Sequence, residues 1–303
     1  MDMAPSLSRM ELARWRRLNI FKVPKHLHLM KGKLVLITGA TSGIGKATAL
    51  ALAKMGATIV FTSRDAQKGQ ATKDELIRLS GNPDIDFMTC DLASLESVRK
   101  FCSDFNTKHD SLNVLINNAG TWDFKRRVSK DGFENIFATN LLAPFLMSNL
   151  LLEPLKGGAP SRIITLSSGL HSGTINFDDI ELKQGFTGMK AYRQSKLGVI
   201  LFTRLLAKKL QGTGVTANCI HPGMVSTNLG RDSGAFMRGT FKLIGKKPEK
   251  GARTSIYLAS SPEVEMVTGE YFANCKVASA SKESHDMAAA ERLWALAEKY
   301  TGL

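Results

Sequence analysis

The sequence predicts an α/β fold, a single domain built on a doubly wound parallel sheet with helices on both faces. Three observations predict it. Short apolar, partly β-branched runs alternate with helical segments along most of the chain, the pattern of successive βαβ units. The runs end in glycine-rich or polar turns, at 39–45, 63–64, 91–92 and 117–120. In such sheets a ligand lies beyond the strand C-termini. No linker or internal repeat divides the 303 residues, and a 43% hydrophobic content suffices for one large core.

Residues 1–30 read as a basic extension. Leu12, Trp15, Leu18 and Phe21 recur every three residues with arginines between them. That spacing suits a short amphipathic helix on an anionic membrane surface, and equally one packed on its own domain or on a partner subunit. The domain proper, 31–303, opens with a buried strand over 33–38. Gly39-Ala40-Thr41-Ser42-Gly43-Ile44-Gly45 follows, then an alanine- and leucine-rich helix over 46–54. Strand, glycine turn and helix together let backbone approach a pyrophosphate at a helix N-terminus.

The second strand, 58–63, ends in Ser63-Arg64. A ribose-binding acid at this place would favour NAD(H), whereas a guanidinium suits a 2′-phosphate. NADP(H) is therefore the expected cofactor. Asp65, one step later, keeps NAD(H) open, and Lys46 stands where it could meet phosphate charge. A helix over 65–79 leads to a third strand, 85–90, ending in Asp91-Leu92. A helix over 95–105 leads to a fourth strand, 112–116, ending in Asn117-Asn118-Ala119-Gly120. One long helix is expected over 133–152, carrying Asn140 in apolar company. The fifth strand, 162–168, delivers Ser167 and Ser168. After an excursion at 169–190 comes a helix running to 206, then a sixth strand at 214–220 and His221-Pro222-Gly223. The glycine-punctuated, greasy stretch at about 224–250 reads as a substrate lid or as a surface helix pair. A short strand at 268–272 and a helix at 287–300 close the chain.

The helix after the excursion carries Tyr192 and Lys196, four residues apart and so on one face. A phenol near pKa ~10 is a poor acid-base catalyst at neutral pH, and a neighbouring ammonium is expected to lower that value. Taken alone, such a pair is ordinary solvated helix surface.

Composition narrows the function classes. The net charge is +14, clustered before Gly32 and again between Arg231 and Arg253. Neither cluster is accompanied by an aromatic RNA-binding motif or a zinc finger, so no nucleic-acid partner is expected. The 4 cysteines and 6 histidines lack metal-ligand spacing, so no metal site is expected, and the thiols read as buried side chains in a reducing compartment. No apolar run reaches the ~18 residues of a membrane span, and arginines interrupt the start where a secretory signal would be apolar. The expected location is cytoplasmic, with peripheral membrane-surface contact open to the N-terminal extension.

Together the segments TGATSGIG (38–45), NNAG (117–120), Asn140, Ser168, YRQSK (192–196) and HPG (221–223) resemble the short-chain dehydrogenase/reductase family. The resemblance covers 33 to about 275. The excursion, the HPG turn and GEYFANCKVASAS look like its retinol dehydrogenase-like branch. The resemblance implies a Rossmann-type fold and hydride transfer between a nicotinamide and a small lipophilic carbonyl or alcohol. It assigns proton transfer to Tyr192, support of its pKa and of the nicotinamide ribose to Lys196, carbonyl orientation to Ser168, and a water-holding role to Asn140. Gly39, Thr41, Ser42, Gly43, Ile44 and Gly45 would line the pyrophosphate. Asp91 and Leu92 would meet the adenine, and Asn118, Ala119 and Gly120 the adenosine ribose side. Pro222, Gly223 and Thr227 would face the nicotinamide. Family habit implies a homo-oligomer. The competing expectation is an NADP(H)-binding regulatory or scaffold protein, against which the complete Asn140-Ser168-Tyr192-Lys196 set argues.

Overall fold

The computed structural model describes residues 29–223 and 247–303. Strands β1 (Leu34–Ile37), β2 (Thr58–Ser63), β3 (Ile85–Thr89), β4 (Val114–Asn117), β5 (Ser161–Leu166), β6 (Val215–His221), β7 (Tyr271–Ala273) and β8 (Lys276–Val277) form one sheet in the order β3-β2-β1-β4-β5-β6-β7-β8. The first seven are parallel and β8 closes antiparallel on β7. The central strands are buried on both faces, as their near-continuous apolar sequences require. The strand order reverses between β1 and β4, and the crevice for a ligand opens there, beyond the strand C-termini.

Helices cover both faces. On one side lie α1 (Gly43–Lys54), α2 (Ala66–Ser80) and α8 (Pro248–Ser260). They seal a core that includes Ile37, Leu52, Phe61, Leu76 and Ile256. On the other lie α3 (Leu95–Asn106), α5 (Ala143–Leu150), α6 (Leu152–Gly157), α7 (Gly188–Lys209) and α9 (Met287–Thr301). Trp294 of α9 packs edge-on against Phe145 of α5 at 4.8 Å and lies 6.0 Å from Phe202 of α7. The doubly wound parallel sheet expected from the sequence is thus the fold observed.

Three local differences stand out. The helix expected over 133–152 is divided into α4 (Asn135–Phe137), a wider π turn at Ala138–Leu142, and α5. A π turn carries one extra residue per turn and often marks a functional position; here it carries Asn140. The hairpin strand β8 was not anticipated, because two residues carry no periodicity. Helix α8 falls partly inside the stretch read as a lid, with Pro248 in its first turn, where the missing N–H costs no hydrogen bond. The rest of that lid (224–246) and residues 1–28 lie outside the described residues. Met30 is buried, and its N–H donates to Met55 O at 3.0 Å. Among the described residues no helix is long and apolar enough to cross a membrane.

Candidate active site

The four side chains that the sequence grouped meet at the C-terminal edge of β4, β5 and β6. Tyr192 and Lys196 stand one turn apart on α7, both buried, at 7% and 4% exposure. Helix α7 starts at an N-cap in which Thr187 Oγ1 accepts the Lys190 N–H at 3.2 Å. Its first residue must be glycine. A Cβ on Gly188 would lie 2.0 Å from Asp123 O, so only glycine lets the helix start against the loop that carries Trp122. That approach sets the Trp122 ring 4.6 Å from the Tyr192 ring, centroid to centroid. Trp122 belongs to the site and was missed in the sequence; the only signal was an aromatic placed two residues after the Asn-Asn-Ala-Gly turn.

Lys196 is anchored. Its ammonium donates to Leu166 O, the last residue of β5, at 2.7 Å, and lies 5.6 Å from the Tyr192 ring centroid. Burial holds it down to about 8, so it remains charged at neutral pH. Burial pushes the Tyr192 phenol up to about 12, and its hydrogen bond with Ser168 draws it only partly back. The expectation that Lys196 lowers the Tyr192 pKa therefore does not describe this arrangement. Desolvation outweighs a cation whose closest partner is a carbonyl oxygen. Tyr192 stands as a protonated donor.

The two serines separate by partner. Ser167 is buried and its hydroxyl donates to Lys196 O at 2.8 Å, tying β5 to α7. Ser168 is half-buried, two residues past the strand, with its hydroxyl hydrogen-bonded to Tyr192 and accepting the Leu170 N–H at 3.1 Å. Asn140 is locked by the π turn against Thr121. Its Oδ1 accepts the Thr121 N–H at 2.7 Å, and its Nδ2 donates to Thr121 O at 3.0 Å and to Ser195 Oγ at 3.2 Å. A methyl added at Gly120 would lie 3.4 Å from Asn140 Oδ1 and 3.6 Å from Lys196 Nζ, so the two converge on one small space.

The glycine turn forms a second focus in the same crevice. It joins the C-terminus of β1 to the start of α1, where Gly43, Ile44 and Gly45 are the first helical residues after Thr41 and Ser42. Ser42 makes no side-chain cap and the first turn holds no acid, so its N–H groups suit an anion. Asn118 Nδ2 donates to Thr38 O at 2.8 Å and Gly39 O at 3.2 Å, and Ala119 N–H donates to Thr38 Oγ1 at 3.0 Å. The β4 turn thereby braces the glycine turn. A Cβ on Gly45 would lie 2.4 Å from Asn118 Nδ2 and 2.5 Å from Gly39 O. Gly45→Ala is thus expected to displace the cradle and weaken nucleotide binding by about tenfold or more, read by a fluorescence titration with NADPH.

The remaining predicted positions lie at the same edge. Ser63 ends β2 and Arg64 follows it, Asp91 and Leu92 come after β3, and Pro222 and Gly223 follow β6. His221 Nδ1 accepts N–H groups from Gly169 at 2.9 Å and Gly223 at 3.3 Å, joining the turns after β5 and β6. Thr227 lies outside the described residues. Lys46, expected to meet phosphate charge, is paired with Glu75 of α2 at 2.5 Å.

This geometry coincides with a family-level match: the short chain dehydrogenase model aligns with residues 33–237. The chain belongs to the short-chain dehydrogenase family. Similar relatives include human retinol dehydrogenase 14, 44% identical over 91% of this chain and 88% of its own length. Human retinol dehydrogenase 13 is 42% identical, covering 90% and 85%. Among solved structures, an uncharacterized protein from Mycobacterium paratuberculosis superposes with a TM-score of 0.75 at 32% identity, covering 90% and 94% of the two chains. A short chain dehydrogenase from Burkholderia cenocepacia in complex with NADP gives 0.64 at 26% identity, covering 80% and 96%. The retinol dehydrogenase-like resemblance read from the motifs is shown by these relatives. As a member of the short-chain dehydrogenase family, the chain is an oxidoreductase that transfers hydride with a nicotinamide cofactor.

Proposed function

We propose that this short-chain dehydrogenase is NADP(H)-dependent and acts on a lipophilic aldehyde, ketone or matching alcohol of retinoid- or steroid-like character. The observation that carries the reading is the buried Tyr192, beside Ser168 and covered by the Trp122 ring. Such a donor in apolar surroundings suits a greasy carbonyl about to be reduced. The names of the relatives point the same way, since those proteins are retinol dehydrogenases.

The phosphate preference rests on Asp65. Its carboxylate caps α2 by accepting the Lys68 N–H at 2.9 Å, while Ser63 Oγ donates to Asp65 O at 2.7 Å. The acid that could have favoured NAD(H) is thus committed to a helix N-terminus, and the exposed Arg64 is the cation at the end of β2.

Bound NADPH would supply the hydride. Gly39, Thr41, Ser42, Gly43, Ile44 and Gly45 would hold the pyrophosphate, and Asp91, Leu92, Asn118, Ala119 and Gly120 would line the adenosine side. Pro222 and Gly223, which follow β6, would face the nicotinamide. Tyr192 gives its phenolic proton to the substrate oxygen, and Ser168 Oγ holds that oxygen in place and stabilises its developing charge. Lys196 and Asn140, which converge beside Gly120, hold the water that returns a proton to Tyr192. In the alcohol-oxidising direction the same groups work in reverse.

Arg64→Ala is expected to raise the KM for NADPH about 10- to 100-fold, the range for losing hydrogen bonds to a charged group, and that for NADH less than about twofold. Parallel steady-state kinetics with both nucleotides check it, and equal effects would remove Arg64 from 2′-phosphate recognition.

A further inference from the structure

Ser168 has no sheet ladder to hold it, because β5 ends at Leu166. Its position depends on what grips the turn around it. The Ser168 carbonyl oxygen takes two side-chain hydrogen bonds, from His171 Nδ1 at 2.6 Å and from Tyr271 Oη at 3.2 Å. A carbonyl oxygen only accepts, so His171 Nδ1 carries the proton. His171 Nε2 accepts the Ser281 N–H at 3.0 Å and so carries none. The network therefore assigns a neutral imidazole of one tautomer. The His171 and Tyr271 rings lie 4.9 Å apart, with exposures of 7% and 3%. Burial pushes the Tyr271 phenol up, which keeps it a donor. Ser281 Oγ also donates to His171 O at 3.4 Å. Both lone-pair directions of one carbonyl are thus satisfied by side chains, one of them reaching back from a strand 103 residues later.

We propose that His171 and Tyr271 are positioning residues for Ser168. They fix its carbonyl and so aim its hydroxyl at Tyr192, and through Ser281 they tie the chain after β8 to the reacting groups. This inference rests on the catalytic role given to Ser168 above. A misplacement of about 1 Å at a reacting group can lower a rate about 100-fold, so a loosened Ser168 is visible in kcat.

The test uses the full chain with NADPH and two probe aldehydes, decanal and all-trans-retinaldehyde. His171→Leu, His171→Asn and Tyr271→Phe are made in the wild-type and in a Ser168→Ala background. His171→Leu should lower kcat about 10- to 100-fold, with the NADPH dissociation constant and the aldehyde KM within about twofold. His171→Asn, which keeps a donor near the Nδ1 position, should restore most of that loss. Tyr271→Phe should lower kcat about threefold to tenfold, as expected for one neutral hydrogen bond. In the Ser168→Ala background none of the three should lower kcat further, because the group they aim is gone. If His171→Leu does not fold, Tyr271→Phe and His171→Asn carry the same comparison. Losses of equal size in both backgrounds, or unchanged kcat in the wild-type background, would overturn the positioning role. Full turnover by Ser168→Ala, or no turnover by the wild type with either aldehyde, would instead remove the catalytic reading of Ser168 and the inference with it.

Discussion

Tyr192→Phe is expected to lower turnover about 1000-fold while leaving NADPH binding within about twofold, a loss in the middle of the range for a positioned general acid. The substitution keeps the ring and its contact with Trp122, at 4.6 Å in the wild type, and removes only the hydroxyl. What is lost is the proton donor and its hydrogen bond with Ser168. The measurement is steady-state reduction of a lipophilic aldehyde beside a fluorescence titration with NADPH. A variant that binds and still turns over at a substantial rate would place the proton donor elsewhere. The high phenol pKa also shapes the pH profile. With Tyr192 at about 12, the donor form is present throughout the neutral range. Reduction should not lose activity through this group as pH rises from 6 to 9 (about three units below that value at the upper end).

Lys196→Met is expected to remove turnover and yet stabilise the fold at neutral pH. Burial holds Lys196 at about 8 against an ordinary 10.5. Between those values the unfolded chain binds more protons than the folded one, so wild-type stability rises with pH across that window. A shift of this size corresponds to about 3 kcal/mol, which the buried charge costs the fold below pH 8. Methionine has a similar length and no charge, but it leaves Leu166 O without its 2.7 Å donor, which takes back about 1–2 kcal/mol. The net gain should be about 1–2 kcal/mol at pH 7 by urea unfolding. Near pH 10.5 the sign should reverse, because wild-type Lys196 is then neutral and still hydrogen-bonded. A variant less stable than wild type at pH 7 would mean that the surroundings stabilise this ammonium.

The parts of the site legible in the sequence are those whose spacing is local. Gly39 to Gly45 lie between an apolar run and an alanine-rich helix, so the turn and its context could be read together. Tyr192 and Lys196 share a helix face by simple periodicity. Asn140 was placed, but not its π turn, since inserting one residue into a helical turn leaves an apolar stretch looking much the same. Asp65 could be read as a ribose ligand or as a helix cap. Only the position of the Lys68 N–H, 2.9 Å from its carboxylate, separates the two. The partition of Ser167 from Ser168 was likewise hidden, because it depends on which hydroxyl turns toward the Lys196 carbonyl. His171, Tyr271 and Trp122 were obscure for a different reason: apart from the contact of His171 with Ser168 three residues before it, their partners come from distant parts of the chain. The contact of Ser281 with His171 spans 110 residues, and no local pattern encodes it. The pKa balance at Tyr192 was misjudged on the same ground, since desolvation is a property of the packed site.

The four thiols follow the sequence expectation of buried or half-buried side chains. Burial pushes each of them up, Cys90 and Cys219 to about 12, which leaves them poor nucleophiles.

The central claim is NADPH-driven reduction of a lipophilic carbonyl through Tyr192. Its most direct test is NADPH consumption by the purified full chain with all-trans-retinaldehyde, run beside Tyr192→Phe and beside NADH. The expected result is turnover by the wild type with NADPH, a rate at least about tenfold lower with NADH at low nucleotide concentration, and near-complete loss in Tyr192→Phe. Tight NADPH binding without turnover of retinaldehyde or a wider panel of aldehydes and ketones would contradict it and favour a nucleotide-binding regulatory role.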